Sequence, residues 1–343
     1  MIPVEFELAG KLCLVTGASG FVGARVASRL LAEGARVRAF VRTAAKAEPL
    51  AQAGAEVFLG DMTKPESVAP AVAGCRVVFH LAGALSEYRP ISYYRDVNVG
   101  GTRALAEAAI SAEVERFVHI STVAVYGLDA GTGIDEGSKR RKSGSHYADT
   151  KLEGEEVIRQ LIAERGLPAI VVQPAEIYGP EDPNWTLRPL ELIRSGRMIL
   201  INGGRGSIQP IYVDDVVEGI LAAARRGRTG EAYILAGNEV VTLRDYFVGL
   251  AHAVGKDHMR SIPAWLALGL ARTCELVAAV GRTAPVFTRQ EVRLMLLDAT
   301  YDAGKARREL GLEPVVSLDV GRARVREWLA ASSAHGGPVG PKS

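Results

Sequence analysis

Cysteine is scarce and unpatterned in this chain. The three that occur, Cys13, Cys75 and Cys274, are odd in number and far apart. No two have redox or metal-ligand spacing, which excludes a disulfide scaffold or a zinc module and predicts a reduced, cytoplasmic setting. The six histidines form no HxH or HxxxH pair, so no metal site is expected. An excess of one charge is also missing: 41 Lys and Arg meet 39 Asp and Glu, a net charge of +2. That balance gives no case for nucleic-acid binding, and the basic run Lys139-Arg140-Arg141-Lys142 reads as a solvated loop. Met1-Ile2-Pro3-Val4-Glu5 has no basic segment leading into an apolar run, so no signal peptide is expected. The apolar stretch 262–280 is broken by Arg272 and Glu275, too early for a transmembrane helix. A helix covering a substrate pocket is expected there, with a membrane-surface helix as the alternative.

What is present is an ordinary globular composition, 48% hydrophobic and 23% charged over 343 residues, enough to bury a large core. Short apolar runs at 12–15, 37–41, 57–59, 77–81, 117–121 and 169–173 alternate with amphipathic segments such as 22–33 and 101–112. This rhythm predicts an α/β fold, a doubly wound parallel sheet with helices on both faces. After Pro174 the rhythm becomes irregular. Residues 213–225 read as a helix and 233–235 as a strand that returns to the sheet. The expected organisation is a dinucleotide-binding part over 1–180, rejoined by 213–236, and a smaller, mostly helical substrate-binding part over 181–331. A flexible tail is expected over 332–343.

The first strand runs into Thr16-Gly17-Ala18-Ser19-Gly20-Phe21-Val22-Gly23 and then a helix. Glycines at this spacing permit a tight turn, close approach of backbone to a pyrophosphate, and close helix–strand packing. The free amides at the helix start then bind the anion, which assigns Gly17, Ser19, Gly20, Phe21, Val22 and Gly23 to a cofactor. An acidic residue ending the second strand would favour NAD, yet the strand reads Val37-Arg38-Ala39-Phe40-Val41-Arg42. Arg42, with Lys46, suits a 2′-phosphate, so NADP(H) is expected, with NAD(H) as the alternative. Asp61, beside Met62, can reach the adenine amino group or cap a helix. His80-Leu81-Ala82-Gly83 ends the fourth strand in small residues, so that Leu81, Ala82 and Gly83 can lie against the cofactor.

His146-Tyr147-Ala148-Asp149-Thr150-Lys151 opens a helix about two dozen residues after a strand ending in Ser121-Thr122. Tyr147 and Lys151 share a face. An ammonium about 4 Å from a phenol, at an effective dielectric of roughly 20, supplies the ~4 kcal/mol needed to lower its pKa by about three units. Spacing alone does not separate this pair from Tyr301-Asp302-Ala303-Gly304-Lys305, where Gly304 weakens the helix and no hydroxyl-bearing strand end stands close upstream.

Taken with Asn98-Val99-Gly100-Gly101-Thr102, Ser121-Thr122-Val123-Ala124-Val125-Tyr126-Gly127, Pro174 with Ile177-Tyr178-Gly179-Pro180, and Tyr212-Val213-Asp214-Asp215-Val216, these motifs resemble an extended short-chain dehydrogenase/reductase. The resemblance covers residues from about 11 to 325. It implies a catalytic Thr122, Tyr147 and Lys151. Thr122 holds the substrate oxygen, Tyr147 moves the proton, and Lys151 binds the nicotinamide ribose and favours the phenolate. It further implies cofactor contacts from Asn98, Ser121, Pro174 and Ile177, and a homodimer. The stretch from Asp302 to Gly311, with Lys305, then resembles the structural C-terminal helix of these proteins, so the Tyr301–Lys305 spacing is expected to carry no chemistry. Gln173-Pro174 departs from the Arg-Pro common in the family. Glu176 can contact substrate, act as a second acid or base, or point to solvent. Ser86, Glu176 and Trp185 are expected on the substrate side.

Within that family the chain looks most like the 3β-hydroxysteroid dehydrogenase and dihydroflavonol reductase branch, on Ile262-Pro263-Ala264-Trp265-Leu266-Ala267-Leu268 and Phe287-Thr288-Arg289-Gln290-Glu291-Val292-Arg293. The implied activity is NADP-dependent interconversion of a ketone and a secondary alcohol on an apolar or polycyclic small molecule. A sugar-nucleotide epimerase or dehydratase is the alternative, with Arg188, Arg194, Arg197 and Arg205 available for a diphosphate. A third reading is a cofactor-binding protein without turnover.

Overall fold

The computed structural model describes residues 5–85, 89–128, 130–281, 283, 285 and 287–334. Seven parallel strands form the central sheet: β1 Leu12–Thr16, β2 Arg36–Val41, β3 Glu56–Leu59, β4 Val77–His80, β5 Arg116–Ile120, β6 Ala169–Pro174 and β7 Ala232–Leu235. Their spatial order is β7-β6-β5-β4-β1-β2-β3. All seven expected strands are present, and 232–235 does return to the sheet beside β6. The interior strands are buried on both faces, as in Leu-Cys-Leu-Val-Thr of β1, which is why they read as continuous apolar runs.

Alternation divides the side chains between two layers. Cys13 and Val15 join Val26, Leu30, Ile220 and Leu221, beneath helices α1 Phe21–Ala32 and α5 Val213–Arg226. Leu14, Val78 and Phe117 join Leu105, Ile158 and Leu161 on the other side. That layer is built from helices α2 Pro65–Val72, α3 Thr102–Ser111 and α4 His146–Arg165. The order reverses between β1 and β4, so a crevice opens at their carboxyl ends, where doubly wound sheets bind ligands.

The C-terminal region is less uniformly helical than its composition predicts. Short strands Arg260–Ile262 and Ala299–Tyr301 pair with Ile199–Ile201 and Gly131–Ile134, the second pairing lacing it onto the first half. Helix α6 Ala264–Gly281 packs on α7 Arg289–Leu294. By length and composition α6 is long and apolar enough to cross a membrane, despite Arg272 and Glu275. The last helix, α8 Leu318–Ala334, carries order to residue 334, past the expected start of a tail at 332. The rest of that tail lies outside the described residues.

Candidate active site

Local backbone chemistry builds the phosphate end of the crevice. Gly17 has φ +68°, and a Cβ there would lie 2.9 Å from the backbone nitrogen of Ala82. A Cβ on Gly23 would lie 2.2 Å from the Gly17 carbonyl oxygen. Both glycines are therefore required, one for the turn against the β4 loop, the other for seating α1 on β1. No acidic residue occupies the first turn of α1 and no side chain caps it, so its amides remain available to an anion. Behind this turn, His80 joins Thr16 at 2.9 Å and Thr102 at 2.8 Å. Burial holds its imidazole down to about 3, so it serves as a neutral tie between β4, β1 and α3.

A continuous cleft of about 540 Å³ runs from the glycine turn across the strand ends. Gly17, Ser19, Gly20, Phe21, Val22 and Gly23 line one end, followed by Arg42, Asp61 and Met62. Leu81, Ala82 and Gly83 form the middle, then Ser121, Thr122, Tyr147 and Lys151. Pro174, Glu176, Ile177 and Trp185 complete the far side. Turn, small-residue β4 loop and strand-end hydroxyls thus line one groove, which suits an extended dinucleotide.

Two expected cofactor residues sit apart from this lining. Lys46 lies in the 3₁₀ turn Ala44–Ala47, off the cleft. Asn98 spends its amide on the scaffold: its Oδ1 accepts from Ala84 N at 2.7 Å, and its Nδ2 donates to Thr150 Oγ1 at 3.0 Å. It ties the β4 loop to α4. Asp61 combines both expected roles, lining the cleft while its carboxylate accepts from Thr63 N and Oγ1, each at 2.9 Å. Ser86 lies outside the described residues.

Ser145 starts α4 by accepting from Ala148 N at 3.3 Å, and Gly166 ends it in the left-handed conformation. This fixes Tyr147 and Lys151 on the cleft-facing side. The Tyr147 phenol is hydrogen-bonded with Thr122, whose Oγ1 also accepts from Ala124 N at 3.2 Å. The expected effect of Lys151 on Tyr147 is not what the geometry gives. Lys151 Nζ donates to Ile120 O at 2.6 Å, and burial pushes the phenol up to about 12, opposed by the Thr122 bond. Burial lowers Lys151 to about 8, with Glu155 acting in the opposite sense. Tyr147 is therefore a neutral proton donor beside an ammonium that gives up its proton readily.

Glu155, one turn beyond Lys151, was not among the expected site residues. It is fully buried and accepts from Arg140 Nε at 2.9 Å, Arg159 Nη2 at 2.8 Å and Gln173 Nε2 at 2.9 Å. Burial raises its carboxyl, but Arg140 and Arg159 together hold it below the usual range. Arg140 thus ties the basic run to the core, while Lys139, Arg141 and Lys142 are exposed on a loop, as expected. Gln173, in place of the family's Arg, bridges Glu155 to the Tyr126 hydroxyl, which donates to Gln173 Oε1 at 2.8 Å.

The far end of the cleft sets large apolar side chains beside Glu176, Asp182, Asn184 and Arg188. Trp185 stacks on Phe247 with centroids 6.3 Å apart, and Asp182 fixes it by accepting from its backbone nitrogen at 2.7 Å. Leu128, Leu294, Leu297 and Tyr301 line the same end. Glu176 is buried there, not solvent-facing, and burial pushes its carboxyl up to about 7 against backbone hydrogen bonds. Tyr301 escaped the sequence reading as a cleft residue. Its partner in spacing, Lys305, turns away to Glu231 Oε2 at 2.6 Å, so the second Tyr–Lys spacing forms no pair. The expected pocket cover is displaced as well: α6 supplies no cleft residue, and α7 reaches the cleft through Leu294.

The four arginines do not converge. Arg188 lines the cleft and pairs with Glu291, Arg194 is exposed away from the cleft, Arg197 faces Glu191 at 3.9 Å, and Arg205 lines a separate pocket with Ser261 and Asp298.

Residues 13–236 match the model of the NAD dependent epimerase/dehydratase family. The chain is 34% identical to the 4-hydroxy-2-methyl-3-oxo-4-farnesyl-3,4-dihydroquinoline-1-oxide ketoreductase of Stigmatella aurantiaca, over 91% of this chain and 95% of that protein. It is 28% identical to the human sterol-4-alpha-carboxylate 3-dehydrogenase, decarboxylating, over 90% of this chain and 86% of the relative. Among solved structures, dTDP-glucose 4,6-dehydratase DesIV of Streptomyces venezuelae, with NAD and TYD bound, superposes with a TM-score of 0.78. It is 25% identical and covers 96% of this chain and 99% of its own. The chain belongs to the NAD-dependent epimerase/dehydratase family of extended short-chain dehydrogenases/reductases and is an NAD(P)-dependent oxidoreductase.

Proposed function

We propose that this enzyme interconverts a ketone and a secondary alcohol on an apolar or polycyclic small molecule, using NADP(H) in the cytoplasm. The observation that carries the reading is the convergence of Thr122, Tyr147 and a buried Lys151 on the lining of one cleft. Gly17, Ser19, Ala82 and Ser121 on the groove would hold a nicotinamide cofactor, which would supply hydride exchange at the substrate carbon. Thr122 and Tyr147 both present hydroxyls to the substrate oxygen. A phenol near 12 stays protonated at neutral pH, so in the reducing direction it donates to the oxygen as negative charge develops there. Lys151, held by Ile120 O, lines the same cleft and is available to the nicotinamide ribose.

Trp185, Leu294 and Leu297 favour an apolar substrate, in keeping with the ketoreductase and sterol dehydrogenase names of two relatives. Arg42 on the cleft, with no carboxylate ending β2, favours a 2′-phosphate. Three free cysteines accord with a reducing compartment. The scattered arginines weigh against a nucleotide diphosphate substrate. The test is a panel of steroid, flavonoid and aromatic ketones followed by NADPH absorbance. Oxidation of NADPH with at least one is expected. Conversion of a UDP-sugar without net absorbance change would replace this reading with the epimerase.

A further inference from the structure

Helix α6 turns its apolar side chains outward. Ala267, Ala271 and Ala278 are buried, and the first two pack with Ile201 and Val292. The opposite arc carries Trp265 at 74% exposure, Leu276 at 61%, Val277 at 66% and Val280 at 89%, flanked by Leu268 and Leu270. At about 100° per residue, Trp265, Leu276 and Val280 fall within about 60° of one another around the helix, with Leu268 and Val277 on either side. Arg272 is the one charged residue on that arc, because Glu275 lies at its edge and pairs with Arg289 at 2.7 Å. The largest apolar patch on a monomer ordinarily spans roughly 300–600 Å² and is commonly functional. Six large apolar side chains between 36% and 89% exposed on one helix place this face in that class.

The surroundings are basic. Residues 256–294 carry six Lys or Arg against three Asp or Glu, in a chain whose total charge is +2. The Glu275–Arg289 pair cancels within the segment, and Glu291 is neutralised by Arg188 from outside it. Arg260, immediately before the helix, and Lys256 are exposed.

We propose that α6 is a peripheral membrane-docking helix that seats the enzyme on an anionic lipid surface. An apolar arc that carries Arg272, with exposed Lys256 and Arg260 ahead of its first turn, matches the acyl–headgroup boundary, where tryptophan is favoured at the level of the headgroups. Arg272 extends its guanidinium along the apolar stem to the lipid phosphates. Spanning the bilayer would tear Ala267 and Ala271 from Ile201 and Val292, so the helix lies in the surface. A second copy on the same face would oppose like charges, which disfavours self-association there. Through α7, the docked helix sets the far end of the cleft close to the lipid. The proposal stands independently of which substrate is turned over.

The test is co-sedimentation of the full chain with phosphatidylcholine vesicles containing about 30% phosphatidylglycerol. The protein should pellet with these vesicles, bind pure phosphatidylcholine more weakly, and be released by alkaline carbonate. The double variant Leu276→Glu, Val280→Glu should lose about 100-fold in partitioning. Its thermal shift with NADPH should be unchanged, which separates lost docking from lost fold. Wild-type protein that stays in the supernatant, or a double variant that pellets equally, overturns the proposal. So does resistance to carbonate, which marks a spanning helix. A dimer that the two substitutions dissociate, without vesicle binding by wild type, assigns the face to a second copy instead.

Discussion

Lys151 is buried at the foot of the cleft, and its ammonium carries a cost that can be measured. Its pKa falls from 10.5 to about 8 on folding, with burial as the cause. At pH 7 the lysine is protonated in both the folded and unfolded chains, so the full penalty applies. Between pH 8 and 10.5 the unfolded chain still holds the proton while the folded chain has lost it. The unfolded state then binds more protons, and stability rises with pH. At about 1.36 kcal/mol per pKa unit, the contribution changes by roughly 2–3 kcal/mol between pH 7 and pH 10. Lys151→Met keeps the volume and removes this titration, while losing the bond to Ile120 O at every pH. Urea unfolding of both proteins at pH 7 and pH 10 reads the difference. The stability of wild type relative to Lys151→Met should rise by roughly 2–3 kcal/mol over that interval. Tyr147 is present in both proteins, so its own titration cancels from the comparison. Equal offsets at the two pH values would show that the ammonium is not desolvated, and would refute this account of the lysine.

Thr122→Val removes the hydroxyl bonded to Tyr147 and should lower kcat/KM by about 10–100-fold with the fold retained, checked by steady-state kinetics and circular dichroism. Gly23→Ala places a methyl 2.2 Å from the Gly17 carbonyl oxygen. It should destabilise the protein by about 1–3 kcal/mol and weaken cofactor binding, both visible in thermal unfolding with and without NADPH. Arg42→Ala should raise the Kd of NADPH by about 10–100-fold and leave that of NADH nearly unchanged; equal effects on both would remove the 2′-phosphate role.

The nucleotide half of the site was legible because its determinants are local. A glycine turn between an apolar strand and a helix is contiguous, and a Tyr–Lys pair one turn apart shares a face wherever the helix lies. Glu155 was not legible, although it continues the Lys151 face. Its arginines come from a loop and from the same helix, and only the folded chain brings Gln173 beneath them. Tyr301 reaches the cleft on a short strand paired with Gly131–Ile134, a long-range contact that no local pattern announces. Asn98 shows the converse. Its motif marks a place near the cofactor, but its amide is committed to Ala84 and Thr150. For α6 the pattern is apolar on both faces, so periodicity could not tell which side the core would take.

The central claim is that Tyr147 supplies the proton at the reacting oxygen. Its most direct test is Tyr147→Phe, assayed with NADPH and a ketone that the wild type reduces, alongside direct measurement of NADPH binding. The account predicts that kcat falls by about 10²–10⁴-fold while the Kd for NADPH stays within about twofold. Turnover undiminished in that variant, with cofactor binding intact, would contradict it.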